Sequence, residues 1–144
     1  MRKTFCVDAS VAPKWWLPEV HSREALLLGG SDLTLIAPPL LPVELTSVVV
    51  QKCRRGHIRP DQVAPLILLI RRMPVKILPV GGILARAAEL ALKFHPSVYD
   101  CLYAALALRE GCQVVTADRP FYEALRVPFP STMLWIEDLP AALA

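Results

Sequence analysis

The 144-residue sequence predicts an α/β fold: a single domain, residues 1–144, with a central parallel sheet of about five strands flanked by helices. Short β-branched or apolar runs alternate with longer stretches of helical periodicity, which is the order of βαβ units. Hydrophobic residues make up 54% of the chain, enough for one real core and too many for a disordered segment. The 14 prolines fall at element edges, as at Pro38-Pro39, Pro74, Pro79, Pro96 and Pro120, so they punctuate without forming a linker.

Residues 3–7 (KTFCV) read as a buried strand, and Asp8 follows at its lip before a helical start at Ala9-Ser10-Val11. Helices are expected over 10–16 and 20–28, then a strand over 33–37. Residues 39–55 (PLLPVELTSVVVQKCRR) carry a helical apolar pattern, and helix 60–71, strand 74–78 and helix 82–94 continue the alternation. Helix 98–110 is the strongest: Ser97 can cap its start and Gly111 can end it. Residues 112–116 (CQVVT) repeat the first strand's arrangement, with Asp118 two positions beyond. A short helix over 120–126 and a strand over 132–136 complete the order.

Four acids stand where this apolar chain would be expected to hold aliphatic or small residues. Asp8 and Asp118 follow strands, and in open α/β sheets ligands bind in the crevice outside the strands' carboxyl ends. Glu44 has Leu40, Leu41, Ser47 and Val48 three or four positions away, which puts a carboxylate on an apolar helix face. Asp100 sits in the first turn of helix 98–110, where the macrodipole favours its charge. Each has a plainer explanation. Asp8 and Asp118 are possible N-caps, Ser97 with Asp100 fits a capping box, and a buried Glu44 could pair with an arginine. All four fall on the same expected sheet edge, which favours one joint site.

The pattern resembles the PIN-domain ribonucleases, in particular the toxins of VapBC-type toxin–antitoxin pairs. The motifs that carry the resemblance are VDAS with Asp8, PPLLPVEL with Glu44, SVYDCLYAALA with Asp100 and VVTADRPF with Asp118. It runs from about Thr4 to about Phe121. Two positions depart from the pattern: Cys101 stands where such sequences often carry Ala, and Thr46-Ser47 replaces an Asn often found shortly after the glutamate. The resemblance implies that Asp8, Glu44, Asp100 and Asp118 form an acidic catalytic quartet, with Ser10 and Thr116 as small hydroxyl residues beside it. It also implies RNA as substrate and a small antitoxin as partner.

Carboxylates suit that chemistry because hard cations such as Mg²⁺ or Mn²⁺ prefer oxygen ligands, and Mg²⁺ keeps several waters. Asp8, Asp100 and Asp118 are the expected metal ligands, direct or through water. Glu44 is expected to complete the cluster as a ligand or by orienting the attacking water.

Net charge is only +3, yet residues 52–76 hold seven basic residues against Asp61 alone. Arg54 and Arg55 are therefore candidate RNA contacts, although basic residues also suit a helix C-terminus. Arg119, beside Asp118, is the cation expected nearest the scissile group. The four cysteines lack C-x-x-C spacing and the three histidines are scattered, so neither type is expected to bind metal or form a disulfide. No signal-like or membrane-spanning run is present, which predicts a cytoplasmic protein. Trp15, Trp16 and Leu17, in a chain of mean hydropathy +0.42, suggest a homodimer contact, with core packing as the alternative. Two other readings remain open: an inactive binding module, and a phosphatase-like domain with a nucleophilic Asp. The second lacks both a neighbouring second aspartate and a glycine-rich phosphate loop.

Overall fold

Among the described residues five parallel strands form one sheet in the order β3-β2-β1-β4-β5. They are β1 (Lys3–Val7), β2 (Leu33–Ala37), β3 (Lys76–Ile77), β4 (Gln113–Thr116) and β5 (Met133–Trp135). The computed structural model describes residues 2–30 and 32–144; Met1 and Ser31 lie outside the described residues. Seven α-helices among the described residues flank the sheet: α1 (Ser22–Leu26), α2 (Leu40–Arg54), α3 (Val63–Arg72), α4 (Leu84–Phe94), α5 (Val98–Glu110), α6 (Arg119–Leu125) and α7 (Leu139–Leu143). From β1 the chain builds outward through β2 to β3, then restarts on the other side with β4 and β5. The strand order therefore reverses between β1 and β4. Connections leave in opposite directions there, which opens a crevice outside the strands' carboxyl ends.

Helix α5 is the fold's central strut. All seven residues from Cys101 to Ala107 are buried, so the helix is apolar on every side and packs across β1 and β4. Ala104, Ala105 and Ala107 allow that close approach. Ser97 Oγ accepts the Asp100 N–H at 3.0 Å and fixes the helix start. Gly111 ends it at φ 65°, a left-handed conformation that favours glycine, and the Cys112 N–H then reaches the Ala107 carbonyl at 3.0 Å.

The strands and long helices follow the sequence expectation, while the short elements depart from it. The helix expected over 10–16 is a 3₁₀ turn, Ala12–Trp15, because Pro13 within it and Pro18 beyond leave too few residues for an α-helical nucleus. The expected 20–28 helix is α1 followed by a 3₁₀ turn, Leu27–Gly29. Strand 74–78 shrinks to two residues at the sheet edge, since Pro74 and Pro79 cannot donate to a ladder. Helix α7 was not expected; its five residues are too few to show a period. Trp15 and Trp16 are half-buried, edge to face at 5.8 Å, and pack against the core, with Trp15 Nε1 donating to the Ala25 carbonyl at 2.9 Å. That arrangement favours the packing reading of these tryptophans.

Candidate active site

Asp8 is the first residue beyond β1, and its N–H donates to the Val115 carbonyl of β4 at 3.2 Å, across the point where the strand order reverses. Its side chain is only 3% exposed. Ser10 Oγ and Thr116 Oγ1 both donate to Asp8 Oδ2, at 2.6 and 2.9 Å. The same two hydroxyls accept the Ala117 and Asp118 N–H groups at 2.9 and 3.0 Å. The ends of β1 and β4 are thus stitched together through one carboxylate, and Ser10 and Thr116 are its direct partners. The cap reading of Asp8 gives way to this one.

Asp118 does both things the sequence allowed. It caps α6, with Oδ1 accepting the Phe121 N–H at 3.3 Å, and it also lines the cleft. Asp100 enters from the first turn of α5. Glu44 comes from α2, whose core stripe is Leu41, Leu45 and Val49. It flanks that stripe and is half-buried, a correction to the expected place on the apolar face itself. Among the described residues no arginine pairs with it; the Tyr103 hydroxyl, on a wholly buried side chain, donates to Glu44 Oε1 at 3.3 Å. The four acids, with Ser10 and Ser47, line one cleft of about 320 Å³. A larger cleft of about 410 Å³, beside the amino-terminal half of β2, carries Arg2 and Lys76 and no acid.

Burial makes the carboxyls of Asp8, Glu44 and Asp100 reluctant to ionise, and the charges of their neighbours add to it. Desolvation raises the Glu44 carboxyl to about 7, with the Asp8 charge adding and the Tyr103 hydroxyl opposing. Asp100 rises to about 6 through burial and the charges of Asp8 and Asp118. Asp8 is also raised by burial, an effect resisted by the Ser10 and Thr116 hydrogen bonds.

A cluster starved of positive charge and built only from oxygen donors fits a hard divalent cation. It is not a closed cage. Among the described residues, no group of three or more acidic, histidine or cysteine side chains forms a preformed ion site. A cation here would be held in the manner of Mg²⁺, by one or two carboxylates of Asp8, Asp100 and Asp118 and otherwise by water. The four cysteines are free and none lines the cleft.

Residues 5–126 match the PIN domain family. The chain belongs to that family. Ribonuclease VapC3 of Pyrobaculum aerophilum is 29% identical over 119 residues, spanning 81% of this chain and 91% of that protein. A crystal structure from the same organism superposes with a TM-score of 0.73 at 18% identity, over 98% of this chain and 89% of the other. VapBC2 from Rickettsia felis, solved bound to a DNA fragment from its promoter, gives 0.64 at 14% identity over 92% and 98%. At these identities the two structural likenesses concern the fold.

Within this PIN domain the basic candidates separate. Arg119 follows Asp118 directly at the head of α6. Arg54 and Arg55 are exposed at the far end of α2, about 15 Å along the helix from Glu44. They lie outside the acidic cleft because the helix points its amino end at the site. Sequence reasoning missed Tyr103. The available signal was its position one turn after Asp100 on the same helix face, but in YDCLYAALA it reads as one more core residue. No helix among the described residues is long and apolar enough to cross a membrane.

Proposed function

We propose that this PIN domain is an endoribonuclease of the VapC type, dependent on Mg²⁺ or Mn²⁺, that hydrolyses RNA phosphodiester bonds and is restrained by a cognate antitoxin protein. The observation that carries the reading is the cleft itself: four carboxylates from four separate elements meet where the strand order reverses. The name of the relative Ribonuclease VapC3 supports RNA as substrate, and the VapBC2 complex supports an antitoxin partner. A cytoplasmic location and a homodimer belong to the same reading.

When bound, a divalent cation supplies Lewis-acid polarisation of the phosphodiester and lowers the pKa of an attacking water. The chain's own residues do the rest. Asp8, fixed by Ser10 and Thr116, offers a carboxylate that needs no further reorganisation. Asp100 and Asp118 enter the cleft from the starts of α5 and α6 and would hold the cation together with it. Glu44 can orient the attacking water and accept its proton, and the Tyr103 hydroxyl sets the carboxylate's direction.

The direct test is incubation with single-stranded and looped RNA in Mg²⁺ or Mn²⁺, with and without excess chelator. Cleavage should occur with either ion and stop when the ion is removed. Cleavage undiminished in chelator contradicts the mechanism.

A further inference from the structure

Arg119 is the cation nearest in sequence to the acidic cluster, and Coulomb attraction alone would draw its guanidinium onto those carboxylates. It turns the other way. Its Cζ lies 3.9 Å from the Trp135 ring centroid and 5.8 Å from that of Tyr122, while Nη1 stands 3.3 Å from Glu123 Oε1. The support beneath it is fixed. Trp135 is 8% exposed, lies edge to face with His21 at 6.0 Å, and is tilted against Tyr122 at 5.7 Å.

The stack is also close to the site. Trp135 is the register partner of Thr116, whose hydroxyl holds Asp8, so it ends the strand next to the one that leads to Asp118, about 4.8 Å away across the sheet.

The carboxylates beside the stack are engaged by other donors as well. Glu123 is shared, since its second oxygen takes Arg126 Nε at 2.7 Å, so two guanidinium groups face one carboxylate. Glu137, also within the field of Arg119, is engaged by His21 Nε2 at 3.0 Å. The Arg119 side chain remains 54% exposed. A guanidinium stacked on one face keeps in-plane donors for the paired oxygens of a phosphate.

Resting on the ribonuclease reading above, we propose that Arg119, held flat on Trp135, binds an RNA phosphate flanking the scissile one, and that the stack keeps this cation off the carboxylates so that they remain available to the divalent ion.

The test is steady-state cleavage of a short fluorescent single-stranded RNA of mixed sequence in Mn²⁺ across a KCl series, with wild type, R119A and R119K, each also melted with and without Mn²⁺. R119A should raise KM about tenfold, with a far smaller fall in kcat. The slope of log kcat/KM against log salt should become shallower by about one counterion. R119K keeps the charge but loses the planar stack, so it should retain the salt slope while its KM rises. The Mn²⁺-induced gain in melting temperature should match wild type in R119A and be smaller in R119K, whose unstacked ammonium can reach the carboxylates; a wild-type gain in R119K would overturn the shielding half of the proposal. R119A with wild-type KM and slope would reduce Arg119 to a staple for β5 and overturn the proposal. R119K with wild-type KM would overturn the part given to Trp135. Loss of the Mn²⁺ response in R119A would place its effect in the carboxylate cluster, and that also overturns it. Wild type that cleaves no RNA in Mn²⁺ sinks the ribonuclease reading itself, an outcome separate from the others.

Discussion

At the scale of single residues, the site depends on how a buried carboxylate is kept in place. Asp8 Oδ2 takes two hydroxyl hydrogen bonds, one of them from Thr116, which is fully buried and also accepts the Asp118 N–H. Thr116→Val keeps the shape but removes both interactions. It should cost about 1–3 kcal/mol of stability in urea titrations with chelator present, and it should weaken Mn²⁺ binding. A Val variant as stable as wild type would mean that the hydroxyl does not support Asp8. The acids themselves were legible in the sequence because a carboxylate beside a buried strand is costly without a purpose. What they bond to was less legible. Asp8, for which a helix cap was the plainer alternative, takes hydroxyl donors from residues 2 and 108 positions away, and the second separation leaves no local trace.

At the scale of elements, placement of the acids rests on where strands and helices stop. Helix α5 presents Asp100 because Ser97 caps its start, and it turns into β4 because Gly111 adopts φ 65°. Gly111→Ala should destabilise by about 1 kcal/mol through the left-handed backbone while leaving cleavage by the folded protein unchanged. A thermal melt and an activity assay on one preparation check both, and an unaltered melt would show that the turn tolerates a Cβ. The long elements were legible because α2, α5 and the strands of KTFCV and CQVVT each show their own period or cap. The short ones were not. The 3₁₀ turn Ala12–Trp15, the two-residue β3 and α7 are set by prolines and by tertiary packing, which periodicity does not report.

At the scale of the whole molecule, the cleft's electrostatics should govern stability. Glu44 rises from its ordinary 4.5 to about 7 on folding, and Asp100 from 3.8 to about 6. Across that window the folded state holds more protons than the unfolded chain, so metal-free stability should fall as pH rises from about 4 to about 7 and then level off. Melting in chelator should therefore occur at a higher temperature near pH 5.5 than near pH 8. Added Mn²⁺ should stabilise more at the higher pH, because protons no longer compete for the carboxylates. Equal melting temperatures at both pH values would contradict the coupled cluster. The homodimer is checked by sedimentation at micromolar concentration, where a monomer would exclude it.

The central claim, that the four carboxylates act together on a divalent cation and RNA, is tested most directly by Asp8→Asn and Asp118→Asn, read for cleavage and for Mn²⁺ stabilisation together. Asn caps a helix about as well as Asp and can still accept the hydroxyls, so neither substitution should unfold the protein. Removing one of several repelling charges should leave the metal-free protein as stable as wild type or more so. The account expects both variants to lose cleavage and to gain less melting temperature from Mn²⁺ than wild type does. Variants that retain wild-type cleavage and the full Mn²⁺ response would contradict it.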